Sequence, residues 1–304
     1  TRSGGDWSSD VCSSDLGNTV KIGNTLVGND QPCYVVAEIG INHNGSLETA
    51  KEIIKVSAEA GCNAVKFQKR TVDVVYTPEE LARPRENPFG ATNGDLKRGL
   101  EFGLAEYREI DRYCKNLKID WFVSCWDEAS VDFMEQFNPP CYKIASASLT
   151  DDDLLRHHRK YGRPIILSTG MSTMAEIEHA VEVLGQDDLI VLHSTSTYPA
   201  QLNELNLKMI STLMDKYDLP IGYSGHEPGL STTFATAVMG ASMIEKHITL
   251  DRAMWGSDQA ASVEPAGIER LIEYISQWEE ASGNGIKKVY ESEIPIREKL
   301  RRKG

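Results

Sequence analysis

The sequence predicts a closed (β/α)8 barrel, and three observations carry that reading. Eight short apolar runs recur along the 304 residues. Stretches with helical periodicity fill the intervals, and nearly every apolar run ends in a charged or hydroxyl residue. Alternation of strand and helix favours parallel pairing with the helices outside the sheet. Eight such repeats in a chain of this length fit one barrel, with its chemistry at the carboxyl ends of the strands. A doubly wound open sheet is the alternative, but no GxGxxG follows a strand to support it.

Residues 1–16 (TRSGGDWSSDVCSSDL) are rich in Ser, Asp and Gly and contain a near-repeat, SSDVC then SSDL. They lack the basic region and apolar core of a secretory leader and are expected to be a disordered, non-native segment. The barrel domain is expected over 17–284, with a short strand pair across 20–27 closing its floor. Apolar runs at 34–39, 64–68, 121–124, 141–144, 164–168, 189–193, 221–224 and 243–247 predict the strands. Helical patterns at 47–60, 104–117, 128–137, 151–161, 174–184, 207–217, 229–240 and 267–282 predict the helices. Thr173 with Glu176 reads as a capping box, and Asp151 after Thr150 as a helix start. The connection 69–103 is long and rich in Pro, Gly and Arg, which suits a lid or binding loop. Residues 285–304 read as a polar, basic C-terminal extension without a ninth strand.

A formal net charge of −13 argues against a nucleic-acid-binding surface, while a locally basic pocket for a small anion stays compatible with it. No apolar window approaches the length of a membrane span. Cys12, Cys33, Cys62, Cys114, Cys125 and Cys141 show no CxxC spacing, and several lie in apolar strand-like contexts. They read as reduced thiols of a cytoplasmic protein.

The strand endings supply the candidate site: Glu38 with Asn42 and His43, Lys66 and Gln68, Ser124, Lys143 and Ser146, and Ser168 with Thr169 and Gly170. Later endings add His193, Ser194, Ser196 and Tyr198, then Ser224 and His226, then Lys246 and His247. Lys66 and Lys143 lie inside apolar strands (AVKFQ, YKIAS), where an unpartnered charge is costly. They are expected either to hold a bound phosphate and carboxylate, helped by Ser124, Ser146, Ser168 and Ser224, or to form internal salt bridges with Glu38. His226 and His247 end two strands of one βαβ unit, so both reach the same sheet edge as candidate ligands of a divalent ion. Imidazole donors suit Mn²⁺ better than bare Mg²⁺. Asp258, in the loop after the last strand, reads either as a ligand of a sugar hydroxyl or proton-transfer group, or as an ordinary loop carboxylate. Tyr198 in STYP reads either as a packed loop residue or as a ligand-contacting one.

The segments VAEIGINHNG, AVKFQ, YKIASAS, LSTGMS, STSTYP, GYSGHE and EKHITLDR, with GSD beyond, resemble the catalytic barrel of the sialic acid synthase family over roughly 19–300. The resemblance implies condensation of phosphoenolpyruvate with an N-acylated aminosugar such as N-acetylmannosamine, giving a nonulosonic acid. It implies a divalent metal, Mn²⁺ foremost with Mg²⁺ or Co²⁺ as substitutes, on His226 and His247. It places phosphoenolpyruvate on Lys66, Ser124, Lys143, Ser146, Ser168 and Ser224. It places Glu38, Gln68, Asn87, Tyr198 and Asp258 around the open-chain sugar, with Asn87 on the long second loop and Glu38 handling protons. Family members usually carry a C-terminal antifreeze-like domain that contributes to a swapped dimer; this sequence stops where that domain would begin, leaving a barrel-to-barrel homodimer as the assembly it admits. Ser196 stands where the family usually has Asn, and Gly225 where Asp usually precedes the first metal histidine. Two alternatives stay open: a 3-deoxy-sugar-acid phosphate synthase using a phosphorylated aldose, and a non-catalytic sugar-phosphate-binding barrel.

Overall fold

Strands that are apolar on both faces need cover on both sides, and a barrel wrapped by helices supplies it. The computed structural model describes residues 19–303; the segment 1–16, expected to be disordered, lies outside them. Strands β1 (Thr19–Ile22) and β2 (Thr25–Gly28) form an antiparallel hairpin. The chain then enters the barrel through β3 (Tyr34–Gly40) and β4 (Ala64–Lys69). After an excursion carrying the small hairpin β5 (Pro84–Asn87) and β6 (Gly90–Thr92), it returns for β7 (Asp120–Cys125), β8 (Tyr142–Ile144) and β9 (Ile165–Ser168). The last three are β10 (Leu189–Ser194), β11 (Ile221–Gly225) and β12 (Met243–His247), and β12 pairs in parallel with β3 to close a ring of eight strands. The predicted fold class holds, with strand ends shifted by a residue or two.

Helix α1 (Leu47–Ala60) starts at Ser46, whose side chain accepts a hydrogen bond from the Thr49 amide, and stops at Gly61 in a left-handed conformation. Within the excursion lie α2 (Val72–Val75), α3 (Pro78–Ala82) and α4 (Asn93–Leu100). The outer ring continues with α5 (Leu104–Leu117), α6 (Glu128–Glu135), α7 (Asp152–Arg159), α8 (Met174–Leu184), α9 (Met209–Lys216), α10 (Ser231–Val238) and α11 (Pro265–Ser282). The Thr173–Glu176 capping box forms, and the Asp151 side chain caps α7 by accepting from the Leu154 amide. A short α12 (Ile294–Leu300) follows and leaves Ile294, Ile296 and Leu300 exposed. Among the described residues no helix is long and apolar enough to cross a membrane. The described cysteines are free thiols, four of them buried.

The segment 69–103, expected as a loop, is instead folded, because it has its own caps and anchors. Thr77 and Thr92 each complete a capping box. The Phe89 ring lies where a Cβ on Gly99 would meet it at 2.2 Å and one on Gly45 at 3.0 Å, so two glycines make the seat for the hairpin tip.

Side chains alternate strictly along each barrel strand, and the interior changes character with height. Tyr34, Val36, Phe122, Ile166, Ile190 and Met243 pack with Val20, Ile22 and Val27 of the first hairpin, which plugs the amino-terminal end as expected. Two residues further along five of the strands the inward positions turn polar: Val36 gives way to Glu38, Ala64 to Lys66, Phe122 to Ser124, Ile166 to Ser168 and Met243 to Glu245. The barrel is thus sealed below and open only at its carboxyl end. Replacing Phe122 by Ala should remove interior packing and lower stability by about 3–5 kcal/mol, read from urea denaturation. A loss below about 1 kcal/mol would be that of a half-exposed site rather than a barrel interior.

Candidate active site

Neighbouring strands bring complementary polar groups into register: Glu38 pairs with Lys66 across β3 and β4, and Ser224 with Glu245 across β11 and β12. Lys66 Nζ lies 3.2 Å from Glu38 Oε2 and 3.1 Å from Glu245 Oε2, and donates to Ser124 Oγ at 3.1 Å. Gln68 Nε2 donates to Glu38 Oε1 at 2.9 Å, and Ser224 donates to Glu245 Oε1 at 3.0 Å. Lys143 is buried on the adjoining wall and donates to the Ile144 carbonyl at 3.1 Å. The internal salt bridge expected with Glu38 forms for Lys66 and not for Lys143. Both lysines line the open cup.

Glu245 escaped the sequence reading, which noted Lys246 at this strand end instead. Period-two alternation would have found it: with Met243 in the barrel interior, Glu245 and His247 must also point inward and Lys246 outward. Lys246 indeed turns away, 3.2 Å from Glu227.

The two inward carboxylates are driven in opposite directions. Burial raises the Glu38 carboxyl to about 7, only partly offset by Lys66, and the nearby Glu245 charge adds to the rise. Burial also opposes ionisation of Glu245, but Lys143 and Lys66 together outweigh it and hold the carboxyl low. Burial pulls the Lys143 ammonium down, Glu245 countering part of the effect. For Lys66 burial acts the same way but is overcome by Glu245 and Glu38, so its charge is secured.

Beside this cluster stand the histidines, His247 in register with Glu38 on the strand that carries Glu245, with ring centroids 5.4 Å apart. His226 Nδ1 lies 2.7 Å from the Thr195 carbonyl. A carbonyl only accepts, so Nδ1 carries the hydrogen and Nε2 keeps a free lone pair. His247 Nδ1 is buried without a partner. Burial lowers His226 to about 4, with the neighbouring His247 next in effect, and lowers His247 to about 3, with Lys66 next. Neutral imidazoles with unshared lone pairs fit a borderline divalent ion. No cluster of three or more His, Cys, Asp or Glu donors occurs among the described residues. An ion held here would keep open positions for substrate or water, as catalytic sites do. The Tyr198 ring, 4.3 Å from His226 and 5.8 Å from His247, covers the pair at the rim.

The cup has a volume of about 180 Å³. Ser146 accepts from the Gly170 amide at 2.9 Å, while Ser168 Oγ is buried without a partner. Glu38 Oε2 and Glu245 Oε2 are each taken by the Lys66 ammonium, whereas His247 Nδ1, like Ser168 Oγ, is buried without a partner. Each unsatisfied buried polar group costs about 1–3 kcal/mol. Such atoms gathered around one cavity are the mark of a site that a polar ligand completes.

Residues 53–287 match the NeuB family. The chain belongs to that family. It is 36% identical over 279 residues to N-acetylneuraminate-9-phosphate synthase of Homo sapiens, covering 90% of this chain and 78% of that protein. It is 34% identical over 285 residues to N,N'-diacetyllegionaminic acid synthase of Legionella pneumophila, covering 90% of this chain and 80% of that protein. The crystal structure of N-acetylneuraminic acid synthetase from Leptospira borgpetersenii in complex with citrate shares the fold with a TM-score of 0.82 and 30% identity, covering 94% of this chain and 99% of that chain. NeuB synthases condense phosphoenolpyruvate with an aminosugar, and this chain is an enzyme of that class.

Not every NeuB position suggested by the sequence reaches the cup. Asn87 does not line it: its amide donates to the Arg85 and Thr92 carbonyls at 2.6 and 2.9 Å and its oxygen accepts from the Phe89 amide, so it shapes its own hairpin. Gln68 lines the cup, but Arg70 binds its oxygen while its nitrogen holds Glu38, which makes it an orienting group. Asp258 lies outside the lining, near enough to Tyr198 to act on it electrostatically. Ser196 lines the cup against Gly170, where a Cβ would meet its hydroxyl at 2.0 Å. His43 stacks on Phe102 at 4.1 Å, and His193 binds the Leu205 carbonyl at 2.7 Å, so both are packing residues.

Glu38 in the folded protein keeps its proton up to about 7, whereas an unfolded glutamate releases it near 4.5. Between those values the native state holds a proton the unfolded chain has lost, so this group lowers stability as pH rises through the window. Urea denaturation of the ligand-free protein at pH 5 and pH 7 should show Glu38→Gln gaining on wild type by up to about 1.4 kcal/mol per pH unit. A constant difference would mean that Glu38 is ionised throughout.

Proposed function

We propose that this chain joins carbon 3 of phosphoenolpyruvate to the aldehyde carbon of an open-chain N-acylated aminosugar, N-acetylmannosamine or a close relative. Water then adds at carbon 2, the bond from carbon 2 to the phosphate oxygen breaks, and a nonulosonic acid and inorganic phosphate leave. The observation that carries the reading is a single cup lined by two buried ammonium groups and two neutral imidazoles, with Ser168 Oγ and His247 Nδ1 buried there without a partner. The acyl-amino requirement is supported by the names of the relatives, which make N-acylated sugar acids.

Lys66 and Lys143, with Ser124, Ser146, Ser168 and Ser224, bind the phosphate and carboxylate and stabilise charge as the tetrahedral adduct forms. His226 and His247 would hold a divalent ion, Mn²⁺ by donor preference, which when bound polarises the sugar aldehyde. Glu38, whose proton is retained near neutrality, delivers a proton to the aldehyde oxygen and recovers one from the attacking water. Glu245 stays charged and keeps Lys66 protonated. Tyr198 and Ser196 form the rim that meets the acceptor, with Asp258 at its outer edge binding hydroxyls.

A phosphorylated acceptor is the second reading. Arg85 and Lys97, neither in an ion pair among the described residues, border a recess with Asn44 and Ser257 at the edge of the excursion.

Phosphate release should be measured with phosphoenolpyruvate and a panel of N-acyl hexosamines, their 6-phosphates, plain hexoses and phosphorylated aldoses. Turnover with a free N-acyl hexosamine supports the proposal, turnover with the 6-phosphate alone favours the second reading, and turnover with aldose phosphates alone sinks both. Lys143→Met should reduce turnover by at least about 10²-fold with an unchanged circular dichroism spectrum. Treatment with a chelator should abolish activity and Mn²⁺ should restore it; full activity after chelation would remove the ion from the scheme.

A further inference from the structure

We propose that the buried pair Glu227–Lys246 is a positioning clamp that sets the separation of His226 and His247, and with it the site's affinity for a divalent ion. The proposal rests on the reading that these imidazoles hold an ion.

Neither residue enters the cup, yet each is covalently adjacent to one histidine: Glu227 follows His226, and Lys246 precedes His247. Their side chains are fully buried at 0% exposure, with Lys246 Nζ 3.2 Å from Glu227 Oε1. The same ammonium donates to the Glu227 backbone carbonyl at 2.6 Å. The carboxylate is otherwise satisfied by the Tyr223 hydroxyl at 2.9 Å, the Thr232 hydroxyl at 3.2 Å and the Thr233 hydroxyl. With its acceptors used internally, the pair has no capacity left for a ligand.

What it does hold is backbone. The parallel register between β11 and β12 ends at Gly225 and Lys246, one residue before His226. Beyond that point His226 is tied on the far side only, through the Ala200 amide on its carbonyl at 3.0 Å and its own Nδ1 on Thr195. The Lys246 side chain supplies the tie from the β12 side that the ladder no longer provides. Gly225 is part of the same device: a Cβ there would lie 2.7 Å from Glu227 Oε2 and 2.7 Å from the Tyr223 ring. The absence of a side chain at 225 is what lets the Glu227 carboxylate fold back under the strand end.

Stability alone does not explain such a pair, since well-packed apolar residues often replace buried ion pairs without loss. Groups that orient metal ligands from behind, by contrast, typically change affinity about 10–100-fold when removed.

The test is Mn²⁺ binding to the purified chain without substrate, followed by the paramagnetic resonance signal of free Mn²⁺. Wild type, the charge-balanced double variant Glu227→Gln/Lys246→Met, and Lys246→Arg are compared, with circular dichroism and thermal midpoints to confirm folding. The double variant should bind about 10–100-fold more weakly, and Lys246→Arg should recover most of the loss. A folded double variant with wild-type affinity overturns the clamp and leaves the metal reading standing. Failure of wild type to bind Mn²⁺ overturns the metal reading and the clamp with it. If the double variant does not fold, Glu227→Gln alone decides: weaker binding than wild type supports the clamp, and equal binding overturns it.

Discussion

Lys66, held between Glu38 and Glu245 at the top of a sealed barrel, is the interaction on which the carboxyl end of the molecule depends. A lone ammonium at this depth would lose its proton, and a lone carboxylate would gain one. Two carboxyl groups bracketing one lysine, with Lys143 beside them, offset the cost of burying its charge without water. The arrangement is asymmetric. Glu245 feels both ammonium groups and accepts the Ser224 hydroxyl, whereas Glu38 is dominated by burial and by the charge of its neighbour. Two identical side chains are thus driven apart, Glu245 toward the charged form and Glu38 toward the protonated one.

The balance survives because of what lies beneath and around it. The first hairpin closes the amino-terminal end with Val20, Ile22 and Val27, so the charged layer meets solvent from one side only. The excursion after β4 contributes from behind: Arg70 lies over the Trp126 ring at 4.5 Å, pairs with Glu101, and grips the Gln68 oxygen whose amide nitrogen holds Glu38. A segment with the composition of a loose lid is therefore also a brace for the Glu38 carboxyl.

Membership of the NeuB family and the cup's chemistry agree at the level of residue type. Ammonium groups and hydroxyls on one wall suit a doubly anionic enol phosphate. Neutral imidazoles beside them are donors that a borderline divalent ion would take. Ser168 Oγ and His247 Nδ1 are buried in the cup without a partner.

The barrel, its eight strands and its helices were legible in the sequence because hydrophobic periodicity is local, as were Lys66, Lys143, His226 and His247, which end apolar runs. Where a side chain reaches is not local information. Asn87 lies on the long excursion as expected, yet its amide is consumed by its own hairpin, which only the fold of that excursion reveals. Glu245 stood in plain view beside Lys246, and the direction each takes depends on the strand's phase relative to the barrel interior. The sequence by itself determined which residues sit at the strand tips. The closed sheet alone decided which tips face one another, because cross-strand register, rather than sequence spacing, sets the distances between charges.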